Sequence, residues 1–247
     1  MPLAGFSELI RNKTIKCSAV IVAAGSSERF GCDKTLAPLL GTPVLTYSLM
    51  VFNACKYVKE IVVVTSTDKI EAVAKLCDNY NISKAAKIVC GGNTRAESAL
   101  SGVSEVSNAS NLIAVHDAAR PLITTEIISK AIESALSNRA VAVAIPSKDT
   151  VKIAINGSVL STPERDTVRL IQTPQVFEPN ILKAALTNAL IKELRVTDDA
   201  SAVEALGFKV FLTEGSEENI KITTPQDMKL AETILLNRRV LSKNRNR

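Results

Sequence analysis

A chain of 247 residues with 46% hydrophobic and 22% charged side chains has the composition of a globular protein, long enough to bury the core of one α/β domain. Aromatics are only 4% and Trp is absent, which argues against a stacking platform for single-stranded nucleic acid. The net charge of +5 is partly local to Arg238, Arg239, Lys243, Arg245 and Arg247, so an anionic ligand must be drawn by a local cluster of cations.

Residues 1–16 read as an N-terminal extension without the long apolar run of a signal peptide. From there short Val- and Ile-rich runs alternate with amphipathic stretches. Ser18 to Ala24, Glu60 to Thr65, Lys87 to Cys90, Leu112 to Val115 and Ala140 to Ile145 are expected as strands. Helices are expected from Pro43 to about Lys56, after an Asp68/Glu71 capping box, from Thr94 to Val106 and from Thr125 to Leu136. This β-α order implies a mostly parallel sheet covered on both faces, with ligands beyond the C-terminal ends of its strands.

After Pro146 the pattern changes. Val151, Ile153 and Ile155 alternate with polar residues up to Asn156-Gly157, a strong hairpin signal, and Val159 and Leu160 return. An arm at about residues 147–168 is therefore expected to protrude. Two strands cannot bury their own apolar face, so either the parent domain or a second subunit must cover it, and a dimer is favoured. The α/β order then resumes: a strand at Leu170 to Gln172, helices at Asn180 to Glu193 and Asp198 to Ala205, strands at Lys209 to Thr213 and Asn219 to Ile222, and a helix from Pro225. Residues 17–239 form one domain, and 240–247 read as a frayed basic tail.

The five cysteines, Cys17, Cys32, Cys55, Cys77 and Cys90, form no C-x-x-C pair, and no apolar run approaches the ~18 residues of a membrane span. Free thiols in a reducing cytoplasm are expected, with no membrane or nucleic-acid partner.

Three turns should share one rim. The first strand ends in Ala23-Ala24-Gly25-Ser26-Ser27-Glu28-Arg29, followed by Gly31 and Asp33-Lys34-Thr35. Small residues let backbone amides approach an anion, and Arg29 and Lys34 add cations, as a triphosphate requires. Five residues separate Gly25 from Gly31 and Lys34 comes later, so this is not a Walker A loop; Ser27 breaks the dinucleotide fingerprint, which disfavours hydride transfer. Cys90-Gly91-Gly92-Asn93-Thr94-Arg95-Ala96-Glu97-Ser98 opens a helix, and Val115-His116-Asp117-Ala118-Ala119-Arg120-Pro121 closes a strand. Asp117 suits a metal, a sugar hydroxyl or a helix cap, and nothing near His116, the sole histidine, marks it as a general base.

Together with Thr173-Pro174-Gln175, Thr197-Asp198-Asp199-Ala200-Ser201 and Asn219-Ile220-Lys221, these motifs resemble the 2-C-methyl-D-erythritol 4-phosphate cytidylyltransferases from about Cys17 to Arg239. The resemblance implies a Rossmann-like mixed sheet of the nucleotidyltransferase type, a homodimer formed through the arm, and Mg²⁺ carried mainly by the CTP phosphates. It implies transfer of a cytidylyl group from CTP to 2-C-methyl-D-erythritol 4-phosphate in isoprenoid precursor synthesis. Carried over by position, Arg29 and Lys34 stabilise the transition state, while Arg165 and Lys221 position the substrate phosphate. Ala23, Ala24, Gly25, Gly92, Ser98 and Ala118 match positions that hold the nucleotide; Asp117, Arg120, Thr150 and Thr197 match positions near the sugar alcohol, some across the dimer. The chain departs from the family's frequent pattern at Ser27, at Asp33 and Thr35, which flank Lys34 where the family often shows Pro and Gln, and at Asn93.

The sister activity on ribitol 5-phosphate is the nearest alternative, but its enzymes tend to show Gly at Ala24 and Val at Ala119. A nicotinamide oxidoreductase and a non-catalytic nucleotide-binding subunit are more distant; the first lacks its fingerprint and the second would have lost the cations. In the implied reaction the substrate's own phosphate attacks the α-phosphorus of CTP. That phosphate carries about −1.5 to −2 charges, so no protein base is needed and the obstacle is anion repulsion.

Overall fold

The computed structural model describes residues 15–25 and 33–245. Its centre is a seven-stranded sheet in the order β11-β7-β10-β6-β1-β4-β5, formed by β1 (Cys17–Val22), β4 (Val58–Thr65), β5 (Ala85–Cys90), β6 (Leu112–Asp117), β7 (Ala140–Pro146), β10 (Arg169–Phe177) and β11 (Phe211–Glu214). All pairings are parallel except those of β10, which runs antiparallel to both β6 and β7. The strand expected at Leu170 to Gln172 is thus longer and reversed. The chain leaves β7 at the rim where the parallel strands end, and a short hairpin brings it back to that same rim, so it can only re-enter the sheet running the other way.

Strands buried on both faces need no polar alternation. Their side chains divide by parity instead. Ala19, Ile21, Ile61, Val63, Ala114 and Val141 pack under α1 (Val44–Ala54), α2 (Ile70–Asn79) and α4 (Thr125–Asn138). Val20, Val62, Val64, Ile113, Val115 and Ala142 pack under α3 (Arg95–Ser104), α5 (Pro179–Ile191) and α6 (Asp199–Ala205). Each fully covered Val or Ile contributes about 1.5–3 kcal/mol, which is what holds the rim turns in place.

Outside the sheet, β2 (Pro38–Leu39) pairs with β3 (Thr42–Pro43), so Pro43 precedes α1 and does not begin it. No capping box forms at Asp68: a 3₁₀ turn at Thr67–Lys69 runs into α2 without a side-chain cap, and Glu71 pairs with Lys75. Asn219 to Ile222 is not a strand. Its polar groups serve β10 and the turn after β6, with the Asn219 amide donating to Gln172 Oε1 and Thr173 O and Ile222 N–H donating to Ala119 O. The last helix, α7 (Pro225–Arg245), runs on through residues 240–245 of the stretch expected to fray, and Arg238 is tied to Glu218 and Leu122 O.

The arm forms as expected from β8 (Ile153–Ile155) and β9 (Ser158–Ser161), with Asn156 and Gly157 both at positive φ in the tight turn. Ile153, Ile155, Val159 and Leu160 stay exposed, as do Leu170 and Ile171 beside them.

Candidate active site

The rim where β1, β5 and β6 end holds a cleft of about 410 Å³ lined by Ala23, Ala24, Gly25, Lys34, Gly92 and Ser98 among others. It is built from close contacts. A Cβ on Gly91 would stand 2.5 Å from Ala24 Cβ and 2.7 Å from Ser98 Oγ, so only glycine lets the two turns meet. Ser98 closes the second turn on itself, its hydroxyl accepting from Gly92 N–H and donating to Gly92 O. Thr94 caps α3 by accepting from Glu97 N–H, and the Glu97 carboxylate accepts from Asn93 N–H. A helix N-terminus opening from a glycine turn beside a lysine is a ready anion cradle.

Lys34 reaches this cleft from a short anchored segment. Asp33 accepts from Thr35 N–H at 3.0 Å and Thr35 Oγ1 at 2.7 Å, and it pairs with Lys69 at 3.0 Å. Burial alone would raise the Asp33 carboxyl, but the Thr35 hydrogen bonds and the Lys69 ammonium outweigh it and hold the group below the usual carboxylate range. Residues 26–32, and with them Arg29, Ser27 and Cys32, lie outside the described residues.

A second cleft of about 260 Å³ adjoins the first and is lined by Arg120, Gln172, Thr173 and Thr197. Arg95, Asp117 and Lys221 line both. Both Asp117 oxygens are taken: Oδ1 accepts from Arg95 Nε and Nη2, and Oδ2 from Lys221 Nζ at 2.6 Å. Burial works to raise the Asp117 carboxyl, yet Arg95 and Lys221 outweigh it and keep it ionised far below the ordinary range. Arg95 also grips the buried Asp199 through two further bonds at 2.9 and 3.0 Å. Arg120 donates to Asn219 O and Ile171 O, which aims its guanidinium along the second cleft. Among the described residues no group of three His, Cys, Asp or Glu side chains is arranged to hold a metal.

His116 is fully buried below this row. Its Nε2 faces Arg120 O, an acceptor only, so the proton sits on Nε2 and Nδ1 accepts from the Thr173 hydroxyl, which itself accepts from Asp117 N–H. The imidazole therefore braces the Asp117–Arg120 turn and takes no proton from a ligand, in accord with its expected lack of a base role. Burial pushes its pKa from 6.5 down to about 4. Unfolded chains bind that proton first, so stability from this group is complete above about pH 6.5 and lost as the pH falls to about 4, by on the order of 3 kcal/mol. Urea unfolding at pH 7 and 4.5 is expected to show a smaller acid loss for His116→Gln than for the wild-type protein; equal losses would contradict it.

Of the other residues expected at the site, Ala118 is fully buried with its amide donating to Val22 O, and Ala119 lines the cleft beside it. Thr150 and Arg165 are exposed on the arm and line neither cleft of their own chain. The part played by Asp199 was not expected: it lies 104 residues from Arg95, and no local spacing signals such a pair.

The sequence profile of the 2-C-methyl-D-erythritol 4-phosphate cytidylyltransferases matches residues 17–237. A protein of that name from Caldanaerobacter subterraneus subsp. tengcongensis is 44% identical over 222 residues, 88% of this chain and 98% of its own. One from Halalkalibacterium halodurans is 39% identical over 220 residues, 88% of this chain and 96% of its own. The crystal structure of a 4-diphosphocytidyl-2C-methyl-D-erythritol synthase from Anaerococcus prevotii superposes with a TM-score of 0.82 at 33% identity, covering 93% of this chain and 99% of that one. A fold, two adjoining cation-lined clefts and a match of this length have one reading: the chain belongs to the 2-C-methyl-D-erythritol 4-phosphate cytidylyltransferase family.

Proposed function

We propose that the larger cleft binds CTP and the smaller one 2-C-methyl-D-erythritol 4-phosphate, with Asp117, Arg95 and Lys221 between them. As a member of its family the chain is a cytidylyltransferase that joins the two into 4-diphosphocytidyl-2-C-methyl-D-erythritol and releases pyrophosphate, in isoprenoid precursor synthesis. The observation that carries the two-substrate arrangement is the shared row of charges: a ligand in either cleft meets the same Lys221. An oxygen of the sugar-alcohol phosphate attacks the α-phosphorus of CTP, the bond to the β,γ-diphosphate breaks, and pyrophosphate leaves with the electron pair.

Repulsion between two anions at about 4 Å costs about 4 kcal/mol per charge pair at an effective dielectric of 20, so cations decide the rate. Lys34 and Arg29 offset charge on the triphosphate, and Lys221 and Arg165 hold the attacking phosphate in line. Mg²⁺ brought in with the triphosphate would supply further neutralisation of the leaving group; such an ion usually keeps several waters and needs few protein ligands, in keeping with a rim of cations and amides. The backbone of Ala23, Ala24, Gly25 and Gly92, with Ser98, holds the nucleotide, and the buried Ala118 braces that rim from behind through its bond to Val22 O, while Asp117, Arg120 and Thr197 face the sugar alcohol. The test is pyrophosphate release from each of the four nucleoside triphosphates with methylerythritol phosphate, with and without Mg²⁺. CTP with Mg²⁺ should be strongly preferred, and indifference to the base or to the metal would refute the reading.

The protein works as a homodimer in the cytoplasm. The exposed apolar side chains of the arm, Ile153, Ile155, Val159 and Leu160, support the dimer, and Thr150 and Arg165 on the same arm then reach the partner's clefts. The cytoplasm is supported by the free thiols of Cys17, Cys55, Cys77 and Cys90, and no helix among the described residues is long and apolar enough to cross a membrane. Ile155→Asp is expected to shift the protein from dimer to monomer in sedimentation velocity and to cut turnover. A wild-type monomer of full activity would contradict the dimer.

A further inference from the structure

Four charged side chains form an alternating row beneath both clefts: Asp199, Arg95, Asp117 and Lys221. Lys221 and Asp117 belong to the site as proposed above, but Asp199 stands behind it, fully buried, with no share in lining either cleft. Its carboxylate takes Arg95 Nη1 at 3.0 Å on Oδ1 and Nη2 at 2.9 Å on Oδ2, a two-pronged pair of fixed orientation. The backbone that carries it is fixed as well. The Gln175 side chain, from the central strand β10, donates to Asp198 Oδ2 at 2.7 Å and accepts from Ala200 N–H at 2.8 Å, and Asp198 caps the helix through Ser201 N–H.

Arg95 turns its remaining edge to Asp117, through Nε at 3.2 Å and Nη2 at 3.1 Å, both on Oδ1. That leaves Oδ2 for the Lys221 ammonium. The row thus transmits a position. A rigid carboxylate orients the guanidinium, the guanidinium orients Asp117, and Asp117 sets the place of the cation that both clefts share. It also sets the charge, because two anions balance two cations. Without Asp199 the row carries one excess positive charge, and Arg95, held only by Asp117, is released to compete with Lys221 for the substrate phosphate.

We infer that Asp199 is a positioning residue for cytidylyl transfer: acting through Arg95 and Asp117, it fixes where Lys221 meets the sugar-alcohol phosphate. The inference rests on the role given to Lys221 in the proposed reaction.

A double-mutant cycle on the purified full chain tests it, with kcat/KM for methylerythritol phosphate measured at saturating CTP and Mg²⁺. Asp199→Asn is expected to lower kcat/KM about 10- to 100-fold in the wild-type background, the scale of a misplaced catalytic cation, and the KM for CTP should change by less than about threefold. In a Lys221→Ala background the same substitution should cost less than about threefold, because there is no ammonium left to position. Asp199→Glu, which keeps the charge, should recover most of the loss. If Asp199→Asn does not fold, Arg95→Lys is read in its place: it keeps the charge but removes the fork, and its loss should likewise disappear in the Lys221→Ala background. Multiplicative losses, which a merely structural role produces, would overturn the inference and leave the reaction as proposed. Normal turnover by Lys221→Ala alone would instead remove Lys221 from the reaction and this inference with it.

Discussion

Lys34→Ala is expected to lower kcat by about 10²-fold or more, the loss typical of a preorganised group that meets charge developing in a transition state. Several features argue for a preorganised cation. The lysine stands between Asp33, pinned by Lys69 and Thr35, and Thr35, whose side chain is buried and whose carbonyl accepts from Leu45 N–H at the start of α1. The ammonium therefore extends from a backbone that the core already fixes, and little backbone entropy remains to be lost when the triphosphate arrives. Alanine removes the charge and leaves the Asp33 bonds in place, so thermal unfolding should be near normal. Single-turnover rates at saturating substrates read the effect directly. A variant within about threefold of the wild-type rate would exclude Lys34 from the transition state.

Lys221→Ala should act on the other substrate. Its ammonium neutralises Asp117 Oδ2 at 2.6 Å beside the smaller cleft. Truncation removes a cation from the phosphate's path and leaves Asp117 facing that phosphate with only Arg95 to balance it. Removal of a preorganised cation that holds the attacking phosphate should lower kcat/KM for methylerythritol phosphate by ~10²-fold or more. The KM for CTP should move little. Steady-state kinetics with each substrate varied in turn separates the two effects, and an equal rise in both KM values would contradict the division of the clefts.

Much of this site was legible in the chain itself because its backbone parts are local. Ala23 to Gly25, Gly91-Gly92 and Asp117 to Arg120 are each a strand end followed by small residues, and the β-α order alone places all three on one rim. The arm was equally legible, since Asn156-Gly157 dictates its turn and alternation dictates its faces. What escaped was non-local. The reversal of β10 follows from where the hairpin returns the chain, not from the residues of β10, whose composition carries no sign of direction. Asn219 to Ile222 has β-like composition but spends its hydrogen bonds on Gln172, Thr173 and Ala119, so a site segment imitated a strand. The Arg95–Asp199 pair joins the starts of two helices that only the folded sheet brings together.

This pair of clefts joins CTP to methylerythritol phosphate in preference to other sugar-alcohol phosphates. The most direct measurement is pyrophosphate release by the purified protein with CTP and Mg²⁺, offered 2-C-methyl-D-erythritol 4-phosphate and ribitol 5-phosphate in parallel. Sustained release is expected with methylerythritol phosphate and little with ribitol phosphate. Preference for ribitol phosphate, or no release with either, would contradict it.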